Sequence, residues 1–144
     1  MQLDSLRFGQ LEVPESSLIE FTRPLVGLEE SRRFVLLEMP KYRPFVWLQS
    51  VDQADLALAL ADPFTFFSDY EPDLDSAFLQ ALRVERGDEL AIYCVVTCDQ
   101  DGWTMNLAAP VVLHQRTRTG GQVVLDDTRF GTCHSLSRRP VACS

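Results

Sequence analysis

The stretch "LALALA", residues 56–61, limits the fold more than any other part of the chain. Leucine and alanine alternate strictly. A helix cannot gather a period of two on one face, whereas a strand resolves it into a bulky side and a small side. Leu56, Leu58 and Leu60 then fill a core, and Ala57, Ala59 and Ala61 admit a close neighbour, so both faces of this strand are expected to be covered. The same alternation recurs in "FVLLEM" (34–39), "FVWLQSV" (45–51) and "ELAIYCVVTC" (89–98). It continues through "TMNLAAPVVLH" and "GQVVLDD", with "TRTGG" read as the loop between them, and Pro110, which has no N–H to donate, marks a bulge or an edge. In "LRFGQLEV" a two-residue turn at Gly9 and Gln10 would set Phe8 opposite Leu11 and Leu6 opposite Val13.

One helix is expected, at about residues 75–82. Leu74, Phe78 and Leu82 fall four apart, Leu79 widens the stripe, and Asp73 or Asp75 can accept from the free N–H groups of the first turn. A shorter helical turn is expected over residues 29–33. Many short strands without strand–helix alternation predict an all-β fold, a small antiparallel β-barrel or sandwich-like domain with that one short α-helix. The chain has 144 residues, enough for one domain, placed at residues 1–136, with residues 137–144 as a flexible C-terminal tail.

The formal net charge of -8 opposes a phosphate backbone, so direct binding of nucleic acid is not expected. Charge is also unevenly placed. Residues 44–82 carry Asp52, Asp55, Asp62, Asp69, Glu71, Asp73 and Asp75 but no Lys or Arg, whereas residues 114–139 hold five Arg. No apolar run resembles a signal-peptide core or a membrane span, so a cytoplasmic protein is expected, with Cys94, Cys98, Cys133 and Cys143 as buried or free thiols.

Three chemistries fit this pattern poorly. Asp69, Glu71 and Asp73 occupy positions one, three and five of an EF-hand-like run, but Leu74 stands where the turn needs Gly and Gln80 where a bidentate Glu is required. Cys94 and Cys98 on one strand would lie about 13 Å apart, too far to share one zinc ion or to bond to each other. Cys133 and His134 are adjacent, and no Gly-rich elbow or orienting third group accompanies them. No cofactor, metal or catalytic residue is expected. The alternative is a small metal-dependent β-barrel enzyme with Asp62, Asp69, Cys133 and His134 near one mouth.

The remaining signal is "DPFTFFSDYEPDL", residues 62–74, in which Phe64, Phe66, Phe67 and Tyr70 stand among Asp62, Asp69, Glu71 and Asp73. In one reading Phe64 and Phe67 are core residues and the acids are solvated. In the other, the stretch is a surface for a basic protein: aromatics supply contact energy and carboxylates steer a cationic partner. Both hold together if some aromatics anchor the loop while Tyr70 and the carboxylates of Asp69, Glu71, Asp73 and Asp75 face outward. Docked beside the cationic groove of an RNA-binding protein, such a surface would raise the cost of bringing in phosphates without covering the groove.

"PFVWLQSVDQADLALALADPFTFFSDYEPDL" and "MNLAAPVVLHQRTRTGGQVVL" closely resemble the flagellar assembly factor FliW family, and the likeness runs over residues 2–136. The resemblance implies a small, barrel-like, cytoplasmic protein without catalytic activity, a monomer when free. It also implies that the protein binds flagellin and, alternately, the RNA-binding translational repressor CsrA, relieving repression of flagellin mRNA, with an inhibition that is noncompetitive and partly electrostatic. The CsrA candidates are Asp62, Phe64, Phe67, Asp69, Tyr70, Glu71 and Asp73. The flagellin candidates are Asn106, Leu107, Pro110 and Val111. A flagellin chaperone without a CsrA-regulatory role is the alternative within this class. The chain departs from the family at Ser68, Thr22 and Val26, where proline is usual, and at Cys133, where an arginine precedes the histidine.

Overall fold

The computed structural model describes residues 1–100 and 102–136. The expected C-terminal tail, residues 137–144, lies outside the described residues. The strands are β1 (Gln2–Ser5), β2 (Gly9–Glu12), β3 (Ile19–Arg23), β4 (Arg33–Leu37), β5 (Val46–Ser50) and β6 (Ala57–Ala61). Two short helices follow, α1 (Pro63–Phe66) and α2 (Ser76–Ala81), then β7 (Leu90–Asp99), β8 (Gly102–Met105), β9 (Val111–His114), β10 (Thr119–Gln122) and β11 (His134–Ser135). β7, β6, β5, β4, β3, β10 and β9 pair in that order, and β9 returns to β7, closing a seven-stranded barrel. Its pairings are antiparallel except β3 with β10. β8 and β11 extend the sheet from β7, and β1 with β2 forms a separate hairpin. The all-β expectation holds, with a second short α-helix, α1, inside the acidic stretch and two 3-10 turns, Glu15–Ser17 and Pro40–Tyr42.

The alternation in "LALALA" separates two cores as expected. Leu60 is fully buried among Phe21, Phe34, Leu48 and Val111 inside the barrel, with Leu56 and Leu58 packed against them. Ala61 faces the other way, into a second core with Phe45, Tyr70, Cys94 and Met105, and Ala59 packs beside it. A third cluster, Phe78, Leu82, Val112 and Val123, seats α2 on the outside of β9. Asp75 caps that helix, accepting from the Phe78 N–H at 2.8 Å. Burying Phe78 alone is worth about 1.5–3 kcal/mol.

Four local expectations are corrected. The N-terminal hairpin pairs Leu3 with Leu11 and Ser5 with Gly9, not Phe8 with Leu11. Its loop is residues 6–8, and Gly9 takes a φ of 76° to rejoin the ladder. Ser5 fixes this register, because its buried Oγ accepts from the Phe8 N–H and donates to Gln49 Oε1 at 2.7 Å. Leu6 is consequently 80% exposed. Residues 29–33 form turns and the start of β4 rather than a helix. Residues 119–121 of "TRTGG" belong to β10, where a Cβ on Gly120 would meet the Phe21 ring at 2.8 Å and one on Gly121 would meet Arg23 Cβ at 2.8 Å. The two glycines allow the close parallel approach of β3 that closes the barrel. Cys94 and Cys133 are free thiols, but Cys98 is disulfide-bonded, against the expectation of a thiol there.

A polar lock ties the end of α2 to β9 and β10. The buried His114 places Nδ1 2.7 Å from the Leu82 carbonyl and Nε2 2.9 Å from the Asp88 carboxylate. Thr119 Oγ1 donates to the same carbonyl at 3.1 Å, and Arg116 pairs with Asp88 at 3.0 Å. Arg116, the Glu85 N–H and His114 hold the Asp88 carboxyl well below the usual carboxylate range, against a smaller opposing effect of desolvation.

Candidate protein-binding surface

β6 ends at Ala61 because Asp62 and Pro63 convert the strand into a helical turn. Asp62 accepts from the Phe64 N–H at 2.8 Å and Pro63 occupies the first helical position, where its missing N–H costs nothing. The turn closes with the Phe67 N–H donating to the Pro63 carbonyl, and the Tyr70 N–H donates to the Phe67 carbonyl. This geometry sends Tyr70 inward. It is 3% exposed, and its hydroxyl donates to the Leu107 carbonyl at 2.8 Å. The expectation of an outward Tyr70 is therefore wrong, for a physical reason that lies in a distant segment. Residues 106–110 leave the ladder between β8 and β9, and the Leu107 carbonyl, released from sheet pairing and buried, needs a donor.

The other aromatics divide by position. Phe66 and Phe67 pack partly buried against the second core, and Phe67 meets the His134 ring edge-on at 5.7 Å. Tyr70 stacks edge-on against Phe130 at 4.7 Å and lies 5.8 Å from Phe64. Phe64 is 42% exposed. Asp62, Asp69, Glu71, Asp73 and Asp75 are all exposed. Among the described residues none of these five is in an ion pair. The downstream arginines among the described residues are engaged elsewhere: Arg116 with Asp88, Arg118 with the Ser17 carbonyl, and Arg129 with Asp127 at 2.6 Å. Arg129 also feels Glu71 and Asp69, more weakly than Asp127, and together they raise its already high pKa.

The flagellin candidates lie next to this loop, joined to it by the Tyr70 hydroxyl. Asn106 is half-buried and its side chain accepts from the Ala108 N–H at 3.0 Å. Leu107, Pro110 and Val111 are buried, so their side chains set the course of the excursion and do not present an apolar edge. The excursion is held by the Gly131 carbonyl, which accepts from Leu107 and Ala108, and by the Leu125 N–H, which donates to Ala108. Pro110 does mark the interruption in the ladder that its missing N–H suggested.

Sequence reasoning missed the third wall. Residues 125–136 supply Leu125, Phe130, His134 and Leu136 to the base of the surface. The available signal was the apolar spacing in "LDDTRFGTCHSL", which the adjacent Cys133 and His134 obscured. Cys133 is exposed, and His134 Nε2 accepts from the Gly131 N–H at 2.8 Å. Cys94, beneath Tyr70, is made inert because burial pushes its thiol up to about 12. Among the described residues no helix is long and apolar enough to cross a membrane, and no group of three or more His, Cys, Asp or Glu is arranged to hold a metal ion.

The FliW protein family model matches residues 2–136. The flagellar assembly factor FliW of Geobacillus kaustophilus is 35% identical over 144 residues, covering 99% of each chain. That of Natranaerobius thermophilus is 37% identical over 139 residues, covering 94% of this chain and 92% of its own. A crystal structure of the flagellar assembly factor FliW matches the fold with a TM-score of 0.88 at 34% identity, covering 98% of this chain and 100% of that one. Sequence likeness along nearly the whole chain and a shared barrel lead to one assignment: the chain belongs to the FliW family.

Proposed function

We propose that the protein is a non-enzymatic, cytoplasmic flagellar assembly factor that binds flagellin and alternately binds and antagonises CsrA, relieving repression of flagellin mRNA translation. One observation carries the reading. Asp69, Glu71 and Asp73 are exposed, in no ion pair among the described residues, on a loop pinned from below by Tyr70 and Phe67. A fixed anionic surface of this kind attracts a cationic protein at long range and sets its register on contact. Placed beside an RNA-binding groove, it opposes the approach of phosphates. Asn106 and the surface over the 106–110 excursion are assigned to flagellin, with Leu107, Pro110 and Val111 acting by holding that surface in shape.

Titration calorimetry with the cognate CsrA, repeated with flagellin present, tests partner identity and alternation together. Replacing Asp69, Glu71 and Asp73 by Lys is expected to weaken CsrA binding by about tenfold or more and to flatten its salt dependence, with an unchanged fold. Affinity equal to that of the parent would remove the acidic surface from the mechanism. Binding of flagellin without any complex with CsrA would leave a chaperone and no regulator.

A further inference from the structure

The barrel wall is incomplete beside the acidic loop. β6 pairs with β7 through two positions, Leu60 with Val95 and Ala61 with Cys94, before Asp62 turns the chain away. β7 continues to Leu90, and on that stretch its partner is β9. The direction of each backbone group on β7 follows from the alternation of an antiparallel ladder. The Asn106 N–H donates to the Val95 carbonyl, so Val95 faces the β8 side. The Val123 N–H donates to the Pro110 carbonyl, so the even positions of β9 face β10, and Val111 and Leu113 face β7, opposite Tyr93 and Ala91. Odd positions of β7 are thus directed to β8 and β9. Leu90 and Ile92 direct their N–H and C=O groups to the β6 side, where among the described residues no strand continues past Ala61.

A slot of about 440 Å³ opens there. Residues 90–93 form one wall, about 10 Å of strand edge, and the connection from β4 to β5 forms the other. Phe64 gives it an apolar end. Two exposed carboxylates, Glu38 and Asp62, converge on the Tyr93 phenol closely enough that, after burial itself, they are what raises its pKa. Arg43 is the single cation of the lining.

We propose that this slot is a β-augmentation site: it takes an extended segment of a partner protein, paired to Leu90 and Ile92 along the line β6 vacates, with a Lys or Arg of that segment set between Glu38 and Asp62. Main-chain pairing at an open edge supplies affinity, and the side-chain pocket supplies the choice of residue. Asp62 and Pro63 are the sequence device that keeps the edge open, since the turn they start removes β6 from the ladder. Asp62 and Phe64 are shared with the acidic surface, and the open edge of β7 is the same whichever protein that surface takes.

The test uses the full chain, isotopically labelled for amide NMR, and three synthetic probes: acetyl-Thr-Val-Arg-Val-Thr-amide, its Glu analogue in place of Arg, and the Arg peptide N-methylated on alternate amides. The Arg peptide is expected to shift the amides of residues 90–93 and of Glu38 with saturation in the millimolar range. The Glu analogue should bind about tenfold more weakly, and the N-methylated peptide should not bind. Glu38→Gln with Asp62→Asn, which retains a helix-capping oxygen, should weaken the Arg peptide to the level of the Glu analogue while the rest of the spectrum stays unchanged. Shifts elsewhere only, equal binding of the Arg and Glu peptides, or undiminished binding of the N-methylated peptide would each overturn the proposal. So would shifts of residues 90–93 that track protein concentration instead of peptide, since the occupant would then be a second copy of the chain.

Discussion

Replacing Tyr70 by Phe isolates the one hydrogen bond that joins the acidic loop to the 106–110 excursion. The ring is 3% exposed and keeps its neighbours Phe64 and Phe130 after the change, so almost no cavity forms. What is lost is the 2.8 Å hydrogen bond to the Leu107 carbonyl, on a residue itself 2% exposed, with only a long contact from Cys94 Sγ at 3.9 Å in addition. A buried carbonyl left without a donor costs about 1–3 kcal/mol. With an unfolding entropy of about 2.1 cal/mol/K per residue over the 144 residues, that corresponds to a fall of roughly 3–10 °C in Tm. Urea unfolding followed by tryptophan fluorescence should give a lower midpoint with an unchanged m-value, because the same surface is exposed on unfolding. A destabilisation below about 0.5 kcal/mol would mean that the Leu107 carbonyl is satisfied without Tyr70, and the proposed reason for the inward tyrosine would fail.

Two further outcomes are expected. Gly120→Ala drives a Cβ to within 2.8 Å of the buried Phe21 ring and 3.0 Å of Leu113, so it should destabilise by about 1–3 kcal/mol in the same urea assay; a neutral result would show that β3 and β10 can separate without penalty. Asp88 has a depressed folded pKa, so its contribution is complete above the ordinary carboxylate value of about 3.9 and is lost as pH falls below it. Comparing urea midpoints at neutral pH and near pH 3, Asp88→Asn should be less stable than the parent at neutral pH and should lose less on acidification, and an identical loss in both would contradict the lock on His114 and Arg116.

Alternation was legible where each face of a strand has its own core. Residues 56–61 announced both faces because leucine meets the barrel interior and alanine the second core, and α2 was legible through Asp75, Phe78 and Leu82 because its cap and its stripe are local. The hairpin register was not, since it depends on Ser5 reaching Gln49, 44 residues away. Strand β10 was obscured because its glycines look like loop residues until Phe21 and Arg23 are set against them. Tyr70 was misplaced for the same kind of reason: its partner is a main-chain carbonyl, which has no sequence signature. The exposed acids needed no partner to be recognised, and they stand where their charge and spacing suggested.

The mixture of aromatic and acidic residues in 62–74 has a single energetic explanation. Asp69, Glu71 and Asp73 are like charges within five residues and are exposed to water, so each neighbouring pair repels weakly, by roughly 0.6 kcal/mol at a separation of about 7 Å. No described cation forms an ion pair with them, and Arg129, held by Asp127, offsets the charge of Asp69 and Glu71 only in part. Added to the conformational entropy lost in ordering the loop, that repulsion favours a chain that spreads its charge. Tyr70, Phe66 and Phe67 oppose that, each contributing up to about 1.5–3 kcal/mol by burial, with the Leu107 hydrogen bond in addition. The aromatics are therefore the counterweight that lets a surface hold clustered negative charge in one geometry, and a cationic partner that relieves the repulsion on docking would gain from charge already in position.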